Sequence, residues 1–212
     1  MKHAFGSMCL LIFLTSYAHA RPISYPGGIT VMQMTDGTKS SLHLHYSPSI
    51  KYSLGYKFEN WRDDDWQFHG LQANYLLKRW NRYKSQANAY LKSAIGLSVV
   101  DDGASSKEAA SGFVGFATDW ENRRFFVSYE NRFTYLNESI DFFSQKARVG
   151  VAPYIGSYGD LHTWLMLQAD HEPEQQNSMT FASLIRFFKS DYLVEFGLDE
   201  NEKVLFNFIV RF

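Results

Sequence analysis

His43 and His45 stand two residues apart, and in an extended strand side chains at i and i+2 point to the same side. Two imidazoles so placed can share one divalent metal ion, and thioethers suit Cu(I). Met32 and Met34 have the same spacing a short way upstream. Two readings stay open for them: ligands beside the imidazoles or, because they alternate with the polar Gln33, a pair facing lipid. His69 and His162 join such a site only if the fold brings them near.

A second set is ionic. Lys51, Lys57, Lys78, Lys92, Arg132, Lys146, Arg148, Arg186 and Arg211 occupy the polar positions of segments in which every second residue is apolar. Glu59, Asp119, Glu130, Asp170, Glu195 and Asp199 share those positions. That is a mild cationic excess, which in a pore favours anions. The competing expectation is mutual pairing, because an isolated charge in a confined space is costly. Lys57, Glu59, Lys92, Glu130, Arg132, Arg148, Arg186, Glu195 and Arg211 are the candidates for lining a lumen.

Ser144, His162, His171 and Asp170 supply the residue types of a Ser–His–acid constellation, yet no nucleophile motif surrounds them. Pro173 breaks any helical metal-ligand spacing in the stretch Asp170–Glu174. No phosphate-cradling loop, EF-hand or basic-aromatic surface occurs, so no cofactor and no nucleic-acid partner are expected. The acidic runs at Asp63, Asp64 and Asp65 and at Asp101 and Asp102 read as solvated loops, or as bridges through cations to lipopolysaccharide phosphates.

What must position these residues is an alternating pattern. At the C-terminus Val204, Phe206, Phe208, Val210 and Phe212 fall on one strand face, and Leu205, Asn207, Ile209 and Arg211 fall on the other. A terminal Phe preceded by apolar residues at every second position resembles the last-strand signature of bacterial outer-membrane proteins. The resemblance implies that Phe208, Val210 and Phe212 form the signal read by the barrel assembly machinery. The same period recurs upstream, as in Leu161, Thr163, Leu165 and Leu167 against His162, Trp164, Met166 and Gln168. Repeated segments of this kind suit a barrel with a lipid exterior and a polar lumen.

The fold expected is all-β: a closed antiparallel up-and-down transmembrane β-barrel of about twelve strands, or ten if the first hairpin lies outside it. The connections alternate between acidic stretches such as "TDGTK" and "DHEPEQQN" and mostly short ones such as "SPS" and "FKSD". The alternative is a soluble barrel or sandwich with the apolar faces inward, since periodicity does not separate inside from outside. Aromatic residues reach 17%, enough to furnish girdles at two membrane interfaces.

Residues 1–20 read as a cleaved secretory signal: Lys2, a short apolar core, then Ala18-His19-Ala20, with Arg21 opening a barrel domain over residues 21–212. Cys9, the single cysteine, lies inside that signal, which excludes disulfides and thiolate chemistry from the mature chain. The function expected is a narrow channel or passive transporter for small polar or anionic solutes in the outer membrane of a Gram-negative bacterium. Its surroundings are outer-membrane lipid and lipopolysaccharide. The alternatives are an outer-membrane enzyme acting on lipid and a non-conducting structural or metal-binding barrel.

Overall fold

The computed structural model describes residues 22–63, 65–101, 106–137, 140–157, 159–175 and 178–212; the expected signal, residues 1–20, lies outside them, as do Asp64 and Asp102 of the acidic runs. Among the described residues twelve strands form. They are β1 (Gly28–Thr35), β2 (Lys39–Ser49), β3 (Tyr52–Trp61), β4 (Trp66–Arg82), β5 (Ser85–Asp101), β6 (Ser106–Asn122), β7 (Phe125–Asn137), β8 (Ile140–Val151), β9 (His162–His171), β10 (Met179–Lys189), β11 (Tyr192–Asp199) and β12 (Val204–Arg211). Each pairs antiparallel with its chain neighbours, and β1 closes on β12 from Thr30↔Arg211 to Thr35↔Phe206. The first hairpin is therefore part of the barrel, and the ten-stranded alternative falls. Closure also leaves no free edge to aggregate.

The apolar faces point outward. Leu71 and Ile95 are 69% and 75% exposed, and Leu44, Leu54, Leu97 and Leu167 share their belt, while Ser53, Asn74, Asn88 and Gln168 are buried inside. A Leu or Ile left in water forgoes about 1.5–3 kcal/mol of burial. A belt of them is stable only in hydrocarbon, so the soluble alternative with its apolar core is overturned. Tyr46, Tyr52, Trp80, Trp120, Phe125 and Tyr192 gather on the outside near the end that carries both termini, as an interfacial girdle should.

The wall is uneven in height. β4, β5 and β6 have 17 residues each and β1, β11 and β12 have 8, which at about 3.4 Å per residue is roughly 58 Å against 27 Å. Two apolar clusters also line the inside. Trp61 stacks on Trp66 (centroids 4.9 Å apart) with Phe68, Phe113 and Leu136 at the loop end, and Trp164, Met166, Leu184 and Leu205 form a second patch on β9–β12.

A bulge changes one expected face. The β4–β5 register runs Leu76↔Tyr90 and then Lys78↔Ala89, so Leu77 has no partner and the parity flips beyond it. Lys78 is therefore exposed on the outside, and Arg79 turns in to donate from Nε to Asn88 Oδ1 at 2.7 Å. Lys51 likewise leaves the expected lumen set, because it sits exposed in the turn between β2 and β3.

Candidate functional site

The strands bring the lumen candidates to one interior cavity of about 260 Å³. Lys57, Glu59, Lys92, Glu130, Arg132, Arg148, Arg186 and Glu195 all line it. Arg211 faces the same side of β12, beside Thr30, but lies outside the cavity wall. Asp36, Lys39 and Glu172 border the cavity at the loop end, and Pro22 and Tyr90 border it at the end with the termini.

Ion pairs cross the lumen. Arg132 on β7 donates from both terminal nitrogens to Glu59 on β3 at 2.7 and 2.8 Å, and three strands separate the two along the wall. Lys57 lies 3.2 Å from the same carboxylate. Arg148 on β8 reaches Glu195 on β11 at 3.3 Å, where Arg186 Nε and Asn207 Nδ2 each donate at 2.5 Å. Lys92 pairs with Glu130 at 2.5 Å and Lys146 with Asp170 at 3.3 Å. The Arg132 guanidinium also lies over the Phe113 ring at 3.8 Å, so apolar and ionic contacts fix the same side chain.

The cationic excess expected from the sequence disappears in this wall. Seven Lys and Arg side chains line the cavity against eight carboxylates. Lys51 and Lys78 have left the set, Arg211 and Asp199 stand outside the wall, and Lys39, Asp36, Glu121 and Glu172 have joined it.

The loop-end carboxyls are held apart in their titration. Burial pushes the Asp36 carboxyl up, but Lys39, Lys146 and the backbone N–H groups of Lys39 and Thr38 outweigh it and leave it below its ordinary value. Burial raises Glu172, the neighbouring Asp36 and Asp170 add to that, and Lys39 and Lys146 do not cancel it. Asp36 Oδ1 accepts from Thr38 N at 3.0 Å and Lys39 N at 2.9 Å, which sets the turn between β1 and β2.

The segment before β1 folds into the barrel, a placement that alternation does not signal. Gly28 N donates to Tyr25 O at 3.0 Å, with Pro26 and Gly27 (φ 86°) between them, the signature of a type II turn. That reversal sends Ile23, 3% exposed, onto the row of Leu76, Tyr90 and Ala117. Ser53 Oγ donates to Pro22 O at 2.8 Å and accepts from Asn74 Nδ2 at 3.0 Å. A narrowed terminal mouth is the result.

Met32 lies directly opposite His43 in the β1–β2 register, and Met32, Met34 and His43 line the cavity. The lipid-facing reading of the methionines is thereby corrected: on β1 it is Gln33 that faces out. His43 and His45 have ring centroids 4.6 Å apart and are both buried. The fold does not bring His69 or His162 to them: His69 Nδ1 meets the hydroxyl of outward-facing Tyr56 at 2.7 Å, and His162 is on β9 beside Phe188.

Of the hydrolytic residue types, Ser144 and Asp170 line the cavity, but neither histidine joins them there. His171 and Asp170 are consecutive on β9 and so point to opposite faces, and His162 begins the strand that His171 ends. At the C-terminus, Phe208 and Val210 pair with Gln33 and Val31 of β1. Phe212 exchanges two backbone hydrogen bonds with Ile29 at 2.9 and 3.0 Å, and its ring is exposed.

A closed twelve-stranded sheet with a lipid-compatible outside and an ionic inside decides the architecture. This is a closed transmembrane β-barrel. The chain matches no protein-family model, and no curated protein matches it in sequence. Among solved structures it is similar to a KdgM porin, at 9% identity and a TM-score of 0.47, over 87% of this chain and 98% of that one. A KdgM porin in complex with disordered oligogalacturonate gives 8% identity and 0.49 over the same shares. The Pseudomonas aeruginosa protein OccK8 (OprE) gives 9% and 0.44, over 86% of this chain and 62% of that one. Likeness at this level concerns the barrel outline, and the chemistry of this lumen rests on its own residues.

Proposed function

We propose that the barrel is a narrow channel for small polar solutes in the outer membrane of a Gram-negative bacterium. The observation that carries the reading is the polar cavity that runs from Asp36 and Glu172 at the loop end to Pro22 at the terminal end. Its fixed charges are nearly balanced and most of its cations are ion-paired, so a solute passes by exchanging hydrogen bonds with the pairs rather than by following a field of one sign. The crossing pairs exclude large solutes. The expected anion preference has no counterpart in this wall.

Export through the signal at residues 1–20, and recognition of Phe208, Val210 and Phe212 by the barrel assembly machinery, fit that location, with lipid and lipopolysaccharide around the apolar belt. Both termini then face the periplasm and the acidic connections face outside. Purified barrel added to a planar lipid bilayer tests the function. Discrete, small, salt-dependent conductance steps are the expected result. A barrel that folds, as judged by its heat-dependent gel mobility, yet never conducts would leave the non-conducting structural reading.

A further inference from the structure

We propose that His43, His45 and Met32 form a site for a soft monovalent metal ion of the Cu(I) class inside the barrel wall. The inference begins with the register. His43 faces Met32 across the β1–β2 pair and His45 faces Thr30, all on the lumen side. Two imidazoles 4.6 Å apart between centroids, with a thioether opposite one of them, can turn three donors toward a common point.

The donors are buried and uncommitted. His43 and His45 are 5% and 1% exposed, and His43 Nε2, both ring nitrogens of His45 and Thr30 Oγ1 make no hydrogen bond. Buried polar atoms are nearly always satisfied, so four such atoms in adjacent positions mark a place built to hold something. A bound ion takes one lone pair from each ring. Thr30 lies opposite His45 in the register, and its hydroxyl would need only to turn to accept from the remaining ring N–H, the arrangement that usually orients a metal-bound imidazole.

The charges around the site choose the ion. Lys57 lies opposite His43 across the β2–β3 pair and shares the single Glu59 carboxylate with Arg132, which leaves positive charge in excess there, and Arg211 lies opposite Thr30. Those cations repel a divalent ion twice as strongly as a monovalent one. Among the described residues no three His, Cys, Asp or Glu side chains gather, so a borderline divalent ion has no anionic ligand to offset that repulsion. A neutral set of two nitrogens and one sulfur suits a soft monovalent ion, with access from the cavity that Met32 and His43 line.

The test uses the whole barrel in detergent and Ag(I), a redox-inert probe of the Cu(I) class, followed by calorimetry. Cu(I) is then measured by competition with a chromogenic chelator. One equivalent of each should bind, with X-ray absorption at the silver edge reporting both nitrogen and sulfur neighbours. The His43→Ala/His45→Ala variant should lose the equivalent, and Met32→Leu should weaken it at least ten-fold, while Met34→Leu leaves it in place. Heat-dependent gel mobility checks that each variant folds, and Met32→Leu decides the matter if the double variant does not. Absence of binding, binding that survives in the folded double variant, an unchanged affinity in Met32→Leu, or Zn(II) bound as tightly would each overturn the proposal.

Discussion

Arg132 spans the lumen to grip Glu59 through two hydrogen bonds of 2.7 and 2.8 Å, joining β7 to β3 across the interior rather than along the wall. With Lys57 on the same carboxylate, this triad forms an ionic bar across the proposed path. Arg132→Ala removes the bar and leaves Glu59 its Lys57 partner. Single-channel conductance should rise several-fold and shift toward cations; an unchanged conductance would place the constriction elsewhere.

Glu59→Gln acts in the other direction, on stability. It leaves Lys57 and Arg132, each about one-eighth exposed, facing each other without their carboxylate. Breaking a fully buried pair costs about 3–5 kcal/mol, and access to lumen water reduces that here to about 1–3 kcal/mol. Urea unfolding of the barrel in detergent should show the loss, together with a shift of reversal potential toward anions.

The segment ahead of β1 should act as a partial stopper. Ile23→Asp puts a charge against Leu76, Tyr90 and Ala117, where burial is unfavourable, and the segment should leave the mouth. Conductance then rises while the gel shift of the folded barrel stays. A rise equal to that of Arg132→Ala, with no further gain when the two are combined, would mean a shared constriction.

Phe212 holds the seam as well as ending the signature. Deleting it removes both backbone bonds to Ile29 along with the exposed ring. Outer-membrane yield should fall steeply in cells. Phe212→Ala keeps the backbone bonds, so a comparable fall in that variant assigns the effect to recognition of the side chain during assembly. Normal yield in Phe212→Ala would assign it to the seam.

Acid should release the β1–β2 turn late. The Asp36 carboxyl is lowered, so its contribution is full above its ordinary value of 3.8 and is lost as pH falls through the lower value it has in the fold. The amide NMR signals of Thr38 and Lys39, which donate to it, should therefore move only below pH 3.8. Glu172 is raised, so its signals should move above its ordinary 4.5, and as an ionised group it disfavours the fold as pH rises through that higher value. Asp36→Asn abolishes the first transition. Coincidence of the two transitions would contradict the opposed environments.

Much of the wall could be read from order alone. Side chains in a strand alternate by geometry, so Leu165 and Leu167 against Trp164 and Met166, or Tyr192 and Phe196 against Leu193 and Glu195, declare two faces without any knowledge of their neighbours. Such segments, divided by turn residues, were enough for the up-and-down order, while the choice of twelve strands over ten waited for β1 to close on β12. Which face met lipid was decided by the tertiary structure, because period two is identical for a barrel and for its inside-out counterpart.

The interior pairing also depended on closure. Glu59 and Arg132 are 73 positions apart and meet only because the closed sheet carries β7 round to face β3. Lys78 gave its place to Arg79 through a single unpaired residue, Leu77, and nothing local in the sequence distinguishes that bulge from regular strand. The lumen-facing Met32 follows from the register with His43, and the inward Ile23 from a turn that alternation does not describe. The sequence by itself determined the strands and their two faces, because alternation is a local property of extended chain. Only the tertiary structure decided the contents of the lumen, because those contacts join residues distant in the chain and depend on how the sheet closes.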